Sequence, residues 1–160
     1  MTVQIRAATA KDAPRVVEIY VDSWNAGFTG LMPPIVADDA RTQRWTTELA
    51  GGPTTWFVAE ADGLLAGLVG IGPSRDPVDP QLGELDTIVV DPAHWRTGLG
   101  TTLMHTALEA LATAYPQAIL WTLANYPQAQ RFYESTGWYP NGTTRDNGHQ
   151  VMYRHDLAAG

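Results

Sequence analysis

Hydrophobic and polar positions alternate at the start of the chain and then change period. Residues 3–7 alternate apolar with polar side chains, which predicts a strand with one buried face. Over residues 13–25 apolar side chains recur every three or four positions, as on one face of a helix, and Thr9-Ala10-Lys11-Asp12 can cap its start. Glycines and prolines in residues 27–34 predict a loop, and a second helix is expected over residues 38–49.

The middle of the chain has the pattern of three strands. Residues 55–60 and 64–71 are rich in β-prone side chains and are separated by Ala61-Asp62-Gly63, which predicts a hairpin. A third run, residues 85–90, stops at Asp91-Pro92. Its apolar end predicts a strand that is buried on both faces and central in the sheet.

The last third of the chain alternates helix and strand before a closing hairpin. Helices are predicted over residues 98–114 and 127–136, and strands over residues 118–123, 138–144 and 149–156. Gly137 ends the second of these helices, and Asp146-Asn147-Gly148 forms the hairpin turn. The predicted order is β-α-α-β-β-β-α-β-α-β-β, which indicates one α/β (α+β) domain with a mixed central sheet and helices on both faces.

Composition narrows the classes of protein that fit this pattern. With 44% hydrophobic and 17% charged residues and no apolar run near the roughly 18 residues that span a bilayer, no membrane association is expected. The absence of cysteine excludes thiol nucleophiles and thiolate metal sites, and with no signal-like N-terminus it favours the cytoplasm. A net charge of −7 with a single lysine argues against a nucleic-acid partner. The four histidines lack metal-ligand spacing, so no metal is expected.

A glycine-bearing turn between the third strand and the following helix is the first chemical signal. Trp95-Arg96-Thr97-Gly98-Leu99-Gly100-Thr101 would expose the first N–H groups of a helix, which together form an anion site. A mononucleotide P-loop needs a lysine after its last glycine, and Thr101-Thr102 stand there instead. A dinucleotide fingerprint needs a third glycine where Leu103 stands, so that motif is excluded as well.

The turn resembles the acetyl-CoA signature of the GCN5-related N-acetyltransferase (GNAT) superfamily, Gln/Arg-x-x-Gly-x-Gly/Ala. Trp95 departs from it, since it stands where the family has Gln or Arg, with Arg96 one position later. A second motif, Asn125 with Phe132-Tyr133-Glu134-Ser135-Thr136-Gly137-Trp138, resembles the family's C-terminal pattern, with Trp138 in place of Phe. The resemblance extends over essentially the full chain and implies the GNAT fold.

The resemblance implies acetyl-CoA as the acyl donor and assigns it a set of residues. The pyrophosphate would lie on the turn, the pantetheine arm along residues 88–90, and the thioester carbonyl on the Val90 N–H. Asn125 would bind the pantetheine amides unless it caps a helix, and Arg131 would reach a phosphate unless it is only a surface residue. The cofactor residues are Ile88, Val89, Val90, Trp95, Arg96, Thr97, Gly98, Leu99, Gly100, Thr101, Asn125 and Arg131.

The resemblance also implies an acid and a base. Glu84 lies six residues before Val90, an even spacing that puts both on one strand face, and it matches the family's catalytic glutamate. Asp86 and a chain of water molecules are the alternatives to Glu84, which would otherwise be a solvated residue at the start of a strand. Tyr133 matches the tyrosine that protonates the leaving thiolate, or is a packed aromatic.

The expected function is acetyl transfer to the primary amine of a small molecule by direct attack in a ternary complex. A non-catalytic acyl-CoA sensor and an acetyltransferase for protein N-termini or lysines are the alternatives. The sequence leaves open the identity of the amine, and it leaves open whether the last strands support a homodimer.

Overall fold

The computed structural model describes residues 1–157 and confirms the predicted order of strands and helices. The elements are β1 (Val3–Ala7), α1 (Ala13–Gly27), α2 (Asp39–Ala50), β2 (Thr55–Ala61), β3 (Leu64–Pro73), β4 (Leu82–Val90), α3 (Leu99–Ala112), β5 (Gln117–Leu123), α4 (Pro127–Ser135), β6 (Tyr139–Arg145) and β7 (Gln150–Asp156). The strands form one sheet in the order β1-β2-β3-β4-β5-β7-β6. None of the helices described within residues 1–157 has the length and hydropathy that a transmembrane span requires.

The chain divides into two compact units. The first unit contains residues 1–70 and 87–106, and the second contains residues 71–86 and the chain from residue 107 onward. β3 and β4 each contribute residues to both units.

The core of the first unit forms where α1 lays its apolar face on the sheet. Ala13, Val16 and Ile19 are fully buried there, as the 3.6-residue period of the sequence predicted. They pack against side chains of β2 and β3, among them Val58 and Leu68, which are also fully buried. The start of α1 differs from the prediction, because a 3₁₀ turn precedes the helix.

The second unit is built around β5. β5 pairs in parallel with β4 over Leu82–Glu84 and in antiparallel with β7 over all of its seven residues. On one face of this sheet Leu82, Ile119 and Met152 form an apolar cluster. The turn between β6 and β7 is the predicted hairpin turn, because Asp146, Asn147 and Gly148 all have positive φ.

The predicted end of β4 at Val90 is confirmed, but its predicted start and the predicted burial of its last residues were wrong. The strand begins at Leu82, three residues earlier than expected, and includes Gly83. A glycine is required there, since a Cβ would lie 2.6 Å from side-chain atoms of Leu111 and of Tyr115. Gly83 therefore allows close packing inside the strand. Residues 88–90 are only half-buried, so the end of the strand is not buried on both faces.

Candidate active site

The segment that leads into the glycine turn is fixed to the first unit by Asp91. Its N–H donates to the Ala66 carbonyl of β3 (2.8 Å), and its side chain accepts from the Ala93 N–H (3.1 Å), which opens a short 3₁₀ turn. The Arg15 guanidinium of α1 binds the other Asp91 carboxylate oxygen at 2.8 Å. The chain therefore enters the glycine turn in a defined direction.

The glycine turn presents unpaired backbone N–H groups. None of the amides from Arg96 to Thr101 donates to a protein acceptor of residues 1–157, because α3 begins only at Leu99. Gly98 has a φ of +88°, and a Cβ built on it would meet no heavy atom within 4 Å. Arg96 has a φ of +64° and an exposed side chain. Open space over free amides at a helix start suits a pyrophosphate, so this turn fits the expected cofactor.

The side chain of Trp95 turns back onto β4. Its indole N–H donates to the Val90 carbonyl at 2.8 Å. The residue that departs from the family signature therefore satisfies the carbonyl of the last residue of the strand. The Leu99 side chain is 1% exposed and belongs to the core. Leu99 can therefore offer a cofactor only its backbone.

The direction of the Val90 N–H follows from the pairing next to it. The Asp91 N–H bonds to Ala66 of β3. Backbone groups of successive residues in an extended chain point to opposite sides, so the Val90 N–H and carbonyl point away from β3. The Trp95 indole takes the carbonyl. This orientation agrees with the predicted role of the Val90 N–H as a donor.

Glu84 is buried inside β4, not solvated at its start. It is 7% exposed, and one carboxylate oxygen accepts the backbone N–H of Arg75 at 2.9 Å. Burial raises the pKa of Glu84, while the Arg75 amide bond and the charges of Arg75 and Arg145 partly oppose the rise and that of Asp86 adds to it. A carboxylate whose pKa lies above its ordinary range is suited to accept a proton near neutral pH.

Asp86, the alternative base, is engaged in an ion pair. Its carboxylate binds the Arg75 guanidinium, and its side chain is 21% exposed. The carboxylate of Asp86 is therefore occupied by an ion pair, whereas that of Glu84 accepts a backbone N–H.

Tyr133 retains its phenolic proton over the whole neutral range. Burial, with a smaller contribution from Tyr126, raises its pKa to about 12. Its ring packs against Phe132 and Tyr153, with centroid distances of 5.7 and 6.2 Å. Within residues 1–157 its hydroxyl makes no hydrogen bond, which leaves the proton available for donation. Tyr133 is thus a packed aromatic whose polar end stays free.

Asn125 lies in the turn after β5, as predicted, but it does not cap α4. The N-cap is Tyr126, whose side chain makes no capping bond, and Gln130 closes the turn by donating to the carbonyls of Leu123 and Ala124, both at 2.9 Å. The Asn125 side chain is exposed, which leaves its amide open to a ligand. Arg131 is also exposed on α4.

Glu84 and Tyr133 lie on opposite faces of the sheet in the second unit. Glu84 is in register with Ile119. The Tyr133 ring packs against Tyr153, which is in register with the next residue of β5, Leu120. Successive residues of a strand point to opposite faces. The structure therefore does not bring the predicted base and acid together, and they would have to approach a reacting group from two sides.

Comparison with known proteins identifies the family. The model of the acetyltransferase (GNAT) family matches residues 13–138. The chain belongs to this family. Similar proteins include a probable N-acetyltransferase of Mycobacterium tuberculosis, 28% identical over 89% of this chain and 83% of its own. Phosphinothricin N-acetyltransferase of Streptomyces viridochromogenes is 29% identical over 97% of this chain and 84% of its own.

Solved GNAT structures show the same fold. A putative acetyltransferase of Salmonella typhimurium, solved with its cofactor acetyl-CoA, superposes with a TM-score of 0.74 at 19% identity, covering 100% of this chain and 96% of its own. The family match, the two N-acetyltransferase relatives and this fold make the chain an acetyl-CoA-dependent GNAT acyltransferase. In the part of the chain that the structure describes, no group of three or more histidines and carboxylates could hold a metal ion.

The sequence did not reveal the side chains around the predicted acid and base. Arg75 lies in a proline-rich loop, Arg145 ends β6 some sixty residues beyond Glu84, and Tyr153 is in the last strand. Tyr153 donates to Glu134 at 2.7 Å, which fixes the ring beside Tyr133. No local pattern marks such residues, because only the pairing of distant strands makes them neighbours.

Proposed function

We propose that this GNAT enzyme transfers the acetyl group of acetyl-CoA to the primary amine of a small molecule by direct attack, with Glu84 as the base. The observation that carries the proposal is the burial of Glu84 with a single backbone donor on its carboxylate. A buried carboxylate inside a strand is costly for stability, and a catalytic role accounts for its presence.

The glycine turn and the end of β4 are proposed to hold the cofactor. The free amides of Arg96 to Thr101 would bind the pyrophosphate, and the Asn125 side chain would bind the pantetheine arm along residues 88–90. Acetyl-CoA supplies the activated thioester when it is bound. The Val90 N–H, which points away from β3, would donate to the thioester carbonyl oxygen as negative charge develops there.

Glu84 is proposed to remove the proton of the attacking amine. An alkyl ammonium has a pKa of about 10, so at neutral pH it must lose a proton before its nitrogen can attack. Glu84 takes up one proton of the ammonium, the neutral nitrogen forms the new C–N bond, and the C–S bond breaks. The second proton of the nitrogen leaves to solvent, and solvent reprotonates Tyr133 after it has protonated the thiolate. The raised pKa of Glu84 brings it closer to that of the ammonium, which makes the transfer easier than for an exposed carboxylate.

Tyr133 is proposed to complete the reaction by protonating the leaving thiolate. With a pKa of about 12 it is fully protonated at neutral pH, and within residues 1–157 no acceptor competes for its hydroxyl proton. The sulfur leaves as the free thiol of CoA. An acyl-enzyme on a thiol is excluded because the chain has no cysteine, so direct transfer is proposed.

A small acceptor is supported by one of the relatives. The Streptomyces viridochromogenes protein is named for a small molecule, phosphinothricin, and the match covers 97% of this chain. We therefore expect a small-molecule amine for this chain too. The cytoplasmic location remains a prediction from the sequence.

The test is thiol release from acetyl-CoA with a panel of acceptors, monitored with a thiol reagent and confirmed by product mass. The panel contains amino acids with phosphinothricin among them, diamines and polyamines, aminoglycosides, and peptides with a free N-terminus or a lysine. We expect turnover with at least one small amine and little with the peptides. Turnover restricted to the peptides would contradict the small-molecule acceptor. Binding of acetyl-CoA without thiol release in any mixture would contradict the whole proposal.

A further inference from the structure

The loop between β3 and β4, residues 74–81, is closed on itself at its base. The Ser74 N–H donates to the Leu82 carbonyl at 3.0 Å. The Ser74 hydroxyl accepts the Asp79 N–H (3.1 Å) and donates to the Asp79 carbonyl (3.2 Å). Ser74 is 5% exposed, so this closure is part of the packed structure. One end of the loop is therefore fixed directly before Arg75.

Two side chains from other strands hold Asp76, the residue that follows Arg75 in the loop. The Trp121 indole N–H of β5 donates to the Asp76 carbonyl at 2.9 Å. The Arg145 guanidinium of β6 donates to the Asp76 carboxylate at 3.1 Å. Arg145 also stacks on Trp121, with 4.2 Å between the guanidinium carbon and the ring centroid, and it donates to the Gln150 side chain at 2.5 Å. These contacts form one connected group.

Arg75, which lies between the two fixed points, donates the backbone hydrogen bond to Glu84. Its N–H lies 2.9 Å from the Glu84 carboxylate oxygen. The Arg75 guanidinium binds Asp86, and on the Asp76 side Trp121 and Arg145 hold the loop, although the Asp76 side chain is 62% exposed. The orientation of a buried carboxylate thus depends in part on two side chains that do not touch it.

We propose that Trp121 and Arg145 are positioning residues for the catalytic base: they hold Asp76 in place, so the Arg75 N–H stays on the Glu84 carboxylate. This inference rests on the proposed role of Glu84. Neither residue needs to contact the amine or the cofactor to affect the reaction.

The charges around Glu84 make the inference measurable. The charged groups that act on it are Asp86 on its own strand, Arg75 on the loop and Arg145 on β6. The Arg75 amide bond and the charge of Arg145 both lower the pKa of Glu84, against the effect of burial. If Asp76 is released, the amide bond weakens, the carboxylate loses stabilisation and the pKa of Glu84 rises further. The acid limb of the pH profile should then move to higher pH.

Two variants test the inference. Trp121→Phe keeps the ring under Arg145 but removes the donor to Asp76, and Arg145→Met keeps the apolar stem but removes the guanidinium. Because the Glu84 carboxylate would be held less firmly in its orientation, we expect kcat/KM for the amine to fall by about 3- to 10-fold at neutral pH, the scale of one lost hydrogen bond. The acid limb should shift upward in both, and the KM for acetyl-CoA should stay unchanged. Arg44→Met, which removes an exposed arginine from α2, is the control and should leave the limb in place.

Glu84→Gln separates this inference from the proposed function. If Trp121→Phe and Arg145→Met act through Glu84, neither should lower the residual turnover further when combined with Glu84→Gln. Unchanged acid limbs in both single variants, with Glu84→Gln still severely impaired, would overturn the positioning role alone. Near-normal turnover of Glu84→Gln would remove the base itself and overturn both proposals. A fall in melting temperature with no shift of the limb would mark a purely structural role and also count against it.

Discussion

The glycine turn and the surroundings of Glu84 differ in the groups that they offer to a ligand. Residues 95–101 offer a ligand backbone N–H groups, and their side chains are engaged with the protein or exposed to solvent. Glu84 offers a side chain, and its properties depend on Arg75, Asp86 and Arg145 from other parts of the second unit. The conformation of the glycine turn is determined within one short segment, whereas the environment of Glu84 is formed by several segments that are distant in the sequence.

This difference explains which changes each region tolerates. A site made of backbone groups should tolerate a change of side chain if the conformation is kept. Trp95, which departs from the family signature, has its indole bound to the Val90 carbonyl. A side-chain site fails when a single group is replaced. The predictions that follow sharpen this contrast, beginning with the largest effect.

Glu84→Gln should lower turnover by about 10²- to 10³-fold, the usual scale for the loss of a general base, with the affinity for acetyl-CoA unchanged. It should also change stability with a defined sign. Burial raises the folded-state pKa of Glu84 above 4.5, so the stability that its neutral form contributes is present below that pH and is lost as pH rises through the folded pKa. The Gln variant keeps a neutral side chain at every pH. Its melting temperature relative to wild type should therefore be higher at pH 7.5 than at pH 4.5. A constant difference between the two pH values would contradict the burial argument.

Tyr133→Phe should lower turnover by about 10²-fold or more, because the thiolate then leaves without a proton donor. Tyr153→Phe is the matched control, since it removes a hydroxyl that Glu134 already binds and keeps the ring against Tyr133. Steady-state rates with saturating acetyl-CoA compare the two. Equal effects, or a Tyr133→Phe effect below threefold, would show that Tyr133 acts only through packing.

Gly98→Val should raise the KM for acetyl-CoA by about tenfold and change kcat little. The residue has a φ of +88°, and forcing an L-residue into this conformation costs roughly 1–2 kcal/mol, which the turn would relieve by moving its amides. Space is not the obstacle, because a Cβ at this position meets nothing within 4 Å. Calorimetric titration with CoA measures the change directly. Unchanged affinity would place the pyrophosphate elsewhere.

Thr97→Ala should have the smallest effect, a rise in the KM for acetyl-CoA of about threefold or less. Its hydroxyl donates to the His94 carbonyl at 2.6 Å and supports the turn without being needed for its amides. A loss comparable with that of Gly98→Val would mean that the side chain binds the cofactor. The turn would then not be a backbone site.

The sequence predicted the fold well where local patterns determine it. The face of α1, the Asp146-Asn147-Gly148 turn and the place of the glycine turn between β4 and α3 all follow from periodicity and turn chemistry. It failed at Gly83, which has a loop-like identity but fits between Leu111 and Tyr115 inside a strand. That requirement arises from packing between distant segments, and no window of the sequence contains it.

For the candidate site too, the sequence predicted the residues themselves but not their surroundings. The sequence named Glu84 and Tyr133, but the burial of Glu84 inside a strand depends on where β4 begins. The network of Asp76, Trp121 and Arg145 joins residues up to 69 positions apart. Such partners have no common spacing, so only the paired strands show them.

The most direct test of a buried base is the pH dependence of kcat/KM for the amine in wild type and in Glu84→Gln. With Glu84 as base, the wild-type value should rise with pH only up to the pKa of Glu84 and then stay level until the amine itself loses its proton near pH 10. Without the carboxylate, the reaction needs an amine that is already neutral, so kcat/KM of the variant should rise about tenfold per pH unit across that whole interval. Two profiles of the same shape would contradict the assignment of Glu84 as the base.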